Sequence, residues 1–274
     1  MEHASKILLP AALGILLSSA SSSQGQTVLG FPPTIVTATG RTHVTPIGYR
    51  IVPASAQMER APRSIAAWVV PSHLGIRELQ TAHVQGVYRA AQWSAGAEVG
   101  SLGMDRYTEV ALTTFGSIAL SDYLTAGLAL GYTMARARGF ATEHLLTINA
   151  QMVFLLDSLT AIGVAGSNIG QTHRAGAQSG AVLQFRIGAS RAIASGLLFD
   201  LDLVFPLQTA SGVATALRWD AGEFLSLRLA YATVPQSLEA SVRLAAIEHF
   251  AVLATLHYHL ALGASPTVGI AYRW

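Results

Sequence analysis

Asp200 and Asp202 are two residues apart, and on an extended strand that spacing puts both carboxylates on one face. Two carboxylates so placed are raw material for acid–base catalysis or for an oxygen-ligand Ca²⁺ site. His257 and His259 have the same spacing, and His249 shares their parity; paired imidazoles on one strand face are a fair start to a metal site. Each pair also has a simpler use. Arg186, Arg218, Arg228 and Arg243 fall on the inward parity of neighbouring segments, as does Glu239, so ion pairing accounts for the carboxylates better than catalysis does. The histidines have no cysteine and no obvious carboxylate partner nearby in sequence, and they read as polar wall residues. Gly163-Val-Ala-Gly166 lacks the strand–loop–helix setting of a phosphate cradle, and no Gly-x-Ser-x-Gly elbow occurs. The chain is expected to be non-enzymatic, with no catalytic residue, metal or cofactor.

What must position these side chains is a set of strands. In 145–155, Leu146, Ile148, Ala150, Met152 and Phe154 alternate with Thr147, Asn149 and Gln151; in 197–205, Leu197, Phe199, Leu201, Leu203 and Phe205 alternate with the two aspartates. The same pattern recurs in 124–134, 181–188, 224–231, 238–246 and 250–260. A soluble sandwich also alternates, but its polar face is rich in Lys and Glu. Here that face is mostly Gly, Ala, Thr and Ser, which suits a narrow interior.

Composition points the same way. Hydrophobic residues make up 51% of the chain and charged ones only 12%, about half the share of an ordinary soluble domain. The longest apolar stretch, Ile7 to Leu17, falls short of the roughly twenty residues that a spanning helix needs. Backbone amides in lipid must be satisfied internally, so a chain that does not cross as helices crosses as a closed barrel. Lys6, the Ile7–Leu17 run and the small residues Ser18–Gly25 read as an export signal over 1–25. Residues 26–64, with Pro32, Pro33, Pro46, Pro53 and Pro62, read as an irregular periplasmic or lumen-lining segment, and 65–274 as an outer-membrane barrel. No basic run suggests nucleic acid.

Short turns are expected at Ser121–Asp122, Asp157–Ser158, Asp220–Gly222 and Ile247–His249. Longer loops are expected at Gly100–Arg106, Ala135–Thr142, Ser167–Gln178, Pro206–Gly212 and Ala261–Pro266. Barrels of the outer membrane keep short turns in the periplasm and longer loops outside. Counting back from the last strand gives thirteen strands from Glu78 onward, and Ile65–Val70 supplies a fourteenth. The fold class is therefore all-β, a transmembrane antiparallel barrel of about fourteen strands. In the last strand Val268, Ile270, Tyr272 and Trp274 share one face; this resembles the terminal strand that the bacterial barrel-assembly machinery recognises.

Tyr107-Thr-Glu109, Leu227-Arg-Leu-Ala-Tyr231 with Thr233 and Pro235, and His257-Tyr-His-Leu-Ala-Leu-Gly263-Ala-Ser265 resemble strands of the FadL-type barrels in their PorV/PorQ branch. The resemblance implies an outer-membrane component that docks secreted or type IX secretion-system proteins. The alternative is a FadL-like transporter or passive channel for small, apolar solutes. A transporter should hold an ordered N-terminal plug in its lumen; a docking component should show a closed lumen and an apolar exposed loop patch. Either way, the expected location is the bacterial outer membrane, with lipid and the assembly machinery as partners.

Overall fold

The computed structural model describes residues 38–39, 62–73, 76–77, 79–104, 107–174, 183–207 and 210–274. The segments read as an export signal and most of the proline-rich lead-in lie outside these. The chain forms a closed, fourteen-stranded antiparallel barrel in which every strand pairs with its sequence neighbours and β1 pairs with β14. The strands are β1 Arg63–Val70, β2 Thr81–Arg89, β3 Trp93–Met104, β4 Tyr107–Ser121, β5 Leu124–Ala137, β6 Glu143–Leu155 and β7 Thr160–Arg174. They continue with β8 Gln184–Ala194, β9 Leu197–Pro206, β10 Gly212–Ala221, β11 Leu225–Thr233, β12 Gln236–Ile247, β13 Phe250–His259 and β14 Gly263–Arg273. The seam closes through a reciprocal pair of backbone bonds, Arg63 N–H to Trp274 O and Trp274 N–H to Arg63 O, each 3.1 Å. Closure leaves no unpaired edge, which is what lets a sheet enter lipid.

Alternation sorts the side chains as their chemistry requires. Leu201, Leu203, Leu229, Leu256, Val268 and Ile270 stand on the outside, while Ser226, Asp200, Asp202, Ser241 and Thr255 are buried within. Alanines such as Ala66, Ala129, Ala161, Ala216 and Ala271 share the interior, because large side chains from all fourteen strands would collide there. At the rim that carries Arg63 and Trp274, Tyr88 packs on Trp93 with centroids 5.3 Å apart, Phe250 on Tyr272 at 4.7 Å and Tyr272 on Trp274 at 5.2 Å. These rings make an aromatic girdle of the kind that marks a membrane interface.

Connections at this rim are 90–92, 122–123, 156–159, 195–196, 222–224 and 248–249; those at the opposite rim are 71–80, 105–106, 138–142, 175–183, 207–211, 234–235 and 260–262. The loops expected at the opposite rim are mostly shorter than read from the sequence. Gly100–Met104 continues β3, Ser167–Arg174 continues β7, and Gly263–Pro266 belongs to β14. Glycine and serine suggested turns there, but the inward glycines make room instead: a Cβ on Gly100 would stand 2.6 Å from the His83 ring. Asp220 likewise lies inside β10, and the turn begins beyond it, where Gly222 takes the positive φ of 71°. His249 sits in the turn between β12 and β13, edge-on to Tyr272, and does not share a wall face with His257 and His259.

β7 carries the largest irregularity. Its register against β6 shifts between Ile148 and Ala150, so Asn149 faces three β7 residues. Asn168 adopts a φ of 58° there, and its N–H donates to Asn149 Oδ1 at 2.8 Å, a side chain standing in for the interrupted ladder.

Candidate functional site: the barrel lumen

The charged residues read from the sequence all lie on strands β8 to β13, one wall of the lumen. Arg228 pairs with Glu239, and Ser241 Oγ donates to Glu239 Oε1 at 2.8 Å while Thr255 Oγ1 donates to Ser241 at 3.1 Å. Arg218 grips Asp220 with Nε and Nη2, the closest contact 2.6 Å, and Arg243 is a second counter-charge to Asp220. Arg186 donates to Gln184 Oε1 at 2.9 and 3.1 Å and faces Asp202 as its counter-ion. His257 feels the charges of Glu239 and Arg228. His259 does a local job: its Nδ1 accepts the N–H groups of Ala261 and Leu262, both at 3.2 Å, closing the turn before β14. Among the described residues no group of His, Asp and Glu is arranged to hold a metal.

Asp200 and Asp202 do not face each other as an acid and a base. They hold a piece of backbone. Ala38 and Thr39, both fully buried, lie in the lumen: Ala38 N–H donates to Asp202 Oδ2, Thr39 Oγ1 donates to Asp200 Oδ2 at 3.1 Å, and Gln151 Nε2 donates to Ala38 O. The site explains two glycines. Gly163 of β7 pairs with Gly188 of β8, and Gly188 with Asp202 of β9. A Cβ on Gly163 would lie 2.5 Å from the Ala38 carbonyl, and one on Gly188 would lie 1.7 Å from Asp202 Oδ1. The two form a trough that seats the 38–39 segment against the wall. Gly163 was in plain view in the sequence as part of a glycine pair; the usable signal was its inward position, since glycine in a strand interior often marks a close backbone approach. Gln151 carried no such signal, because one glutamine among inward polar residues looks like any other.

The opposite wall, β14 to β3, holds a second group that the sequence did not single out. His83 Nδ1 lies 3.0 Å from Glu98 Oε1, and the Trp68 ring stacks on His83 with centroids 5.3 Å apart and planes at 8°. The residues read from the sequence as an assembly signal lie elsewhere, on the outer face of β14: Val268 and Ile270 are exposed along it, and Tyr272 and Trp274 end it in the girdle.

No protein-family model matches the sequence, and no curated protein matches it. Solved structures share the architecture. The toluene transporter TbuX of Ralstonia pickettii superposes with a TM-score of 0.64 at 12% identity, over 89% of this chain and 99% of that one. The fold is that of FadL-like outer-membrane barrels. The monoaromatic hydrocarbon channel CymD gives 0.60 at 10% identity, again over 89% and 99%. The Acinetobacter baumannii outer membrane protein Omp33 gives 0.51 at 10%, over 78% and 98%. At such identities the likeness is one of fold. Two of these are a transporter and a channel, and the PorV/PorQ branch finds no support among them.

Proposed function

We propose that this chain is a FadL-like transporter in a bacterial outer membrane, which lets small apolar solutes pass through a lumen gated at the seat of Ala38 and Thr39. The carrying observation is the seating of Ala38 and Thr39 between Asp200, Asp202 and Gln151. A segment seated in the lumen separates a gated transporter from a docking barrel, and the trough at Gly163 that receives the Ala38 backbone supports that reading. Two fold neighbours are a toluene transporter and a monoaromatic hydrocarbon channel, which favours apolar solutes as the cargo. The ion pairs of β8 to β13 then serve the wall, since charges facing a narrow lumen need partners or water. Docking of secretion-system proteins is the weaker reading: Phe140 and Leu207 stand exposed on the rim loops, but the seated 38–39 segment is the feature expected of a transporter.

Single-channel recording of the purified barrel in planar bilayers tests the gate. Asp200→Ala with Asp202→Ala should open it more often than the wild type, and so should Gly163→Val from the far side of the trough. Heat-modifiable migration would confirm that each variant is folded. Folded variants with wild-type conductance would overturn the gated lumen.

A further inference from the structure

Three consecutive strands at the seam carry buried polar atoms with no hydrogen-bond partner among the described residues: Thr267 Oγ1 on β14, Trp68 Nε1 on β1, and both Nε2 and Oε1 of Gln85 on β2. Their exposures are 3%, 3% and 1%, so their own barrel neither solvates nor bonds them. Such groups are rare in folded proteins and costly when unmet. Register puts them in order. Trp68 is opposite Gly269, two residues after Thr267, and opposite His83, two residues before Gln85. Successive inward positions are about 7 Å apart along a strand, so the unmet atoms form a stair that descends from the opposite rim towards the rim of Arg63 and Trp274. The stair is half the barrel away from the Ala38–Thr39 seat on β6 to β9, so those two residues do not touch it.

The chemistry of the stair is neutral: an indole donor, a hydroxyl, and an amide that both donates and accepts. The charge beside Gln85 is Glu98, opposite it and bonded to His83; the cation of this wall, Arg273, lies further along β14, opposite Ser64. A carboxylate head would meet that negative charge, and a plain hydrocarbon would leave every one of these atoms unmet. We propose that β14, β1 and β2 form a hydrogen-bonding track that selects small apolar solutes carrying one neutral hydroxyl, over both the bare hydrocarbon and the carboxylate. This rests on the transporter reading and names the solute class for it.

Trp68 reports on the track directly. The other tryptophans, Trp93, Trp219 and Trp274, are half-exposed on the outer face, so a change of emission that vanishes in Trp68→Phe arises in the lumen. Cyclohexylmethanol, ethylcyclohexane and cyclohexanecarboxylate are matched in size and free of near-ultraviolet absorption, and would be titrated into the full chain in detergent. Cyclohexylmethanol should saturate the Trp68 signal at a concentration at least about fivefold below that of ethylcyclohexane, the worth of roughly one neutral hydrogen bond, with the carboxylate weakest. Gln85→Leu should erase most of that preference, and Thr267→Val, which is close to isosteric, should reduce it if Gln85→Leu fails to fold. Equal affinity for alcohol and hydrocarbon, or an unchanged preference in folded Gln85→Leu and Thr267→Val, would overturn the track while leaving passage intact. If none of the probes reaches Trp68, even in the plug-released Asp200→Ala, Asp202→Ala variant, passage itself is overturned.

Discussion

Gly163 and Gly188 stand opposite each other on β7 and β8, and the space their missing side chains leave is where the backbone of Ala38 runs and where the Asp202 carboxylate turns to meet it. Glycine weakens a strand by roughly 0.5–1 kcal/mol relative to alanine, so two in register need a reason, and the seated segment supplies it. Gly188→Ala should therefore force Asp202 off its contact. The expected result is a folded barrel whose 38–39 segment becomes a protease target in intact outer membranes; protection equal to the wild type would contradict the trough.

The two faces of the wall make a second prediction. Leu201→Arg and Leu256→Arg put charge on the outer face and should each cost about 2–4 kcal/mol if the site is near the bilayer midplane. Thr255→Ser, one residue from Leu256 but inward, should cost far less. Urea titration of folding into vesicles reads both, and equal losses would mean that the outer face does not meet lipid.

Asp157 offers a pH test outside the membrane. It lies in the turn between β6 and β7 and accepts the N–H groups of Leu159 at 2.7 Å and Thr160 at 2.6 Å, which hold its carboxyl below its ordinary value. A carboxyl with a lowered folded-state pKa adds stability above its unfolded value and loses it as pH falls through the folded one. Wild type should thus melt above Asp157→Ala at neutral pH, and the gap should close in acid. A gap independent of pH would show that the carboxylate charge plays no part in the turn.

At the seam, Trp274 stacks on Tyr272 and exchanges both backbone bonds with Arg63, while Arg273 points inward. Trp274→Ala should lower the heat-modifiable, folded fraction in outer membranes well below that of Arg273→Ala. Equal yields would remove Trp274 from the assembly role read from the sequence.

How far the sequence reached follows from the range of the forces involved. Strand number and facing were readable because period-two alternation is local: Leu201 and Asp202 declare opposite sides from their own neighbours. Loop lengths were misread because Gly100 and Gly263 carry the composition of a turn while serving as strand residues, and only a contact such as His83 over Gly100 tells the two apart. Asp200 and Asp202 were singled out for their shared face, and their use was hidden, since the partners Ala38 and Thr39 lie more than 160 residues away in the chain. The Trp68, His83, Gln85 and Glu98 group was hidden for the same reason. Each looked like one polar or aromatic residue in an ordinary strand, and only barrel closure made them neighbours of Thr267.

The most direct test of the transporter reading is the entry of a labelled, single-ring apolar solute into whole cells of a porin-poor Gram-negative host. Cells that carry folded barrel in the outer membrane should take it up faster than cells with an empty vector, and Asp200→Ala with Asp202→Ala should speed it further, while a sugar of similar size gains nothing from the wild type. Uptake equal to the empty vector, with folded barrel shown in the same membranes, would contradict the account.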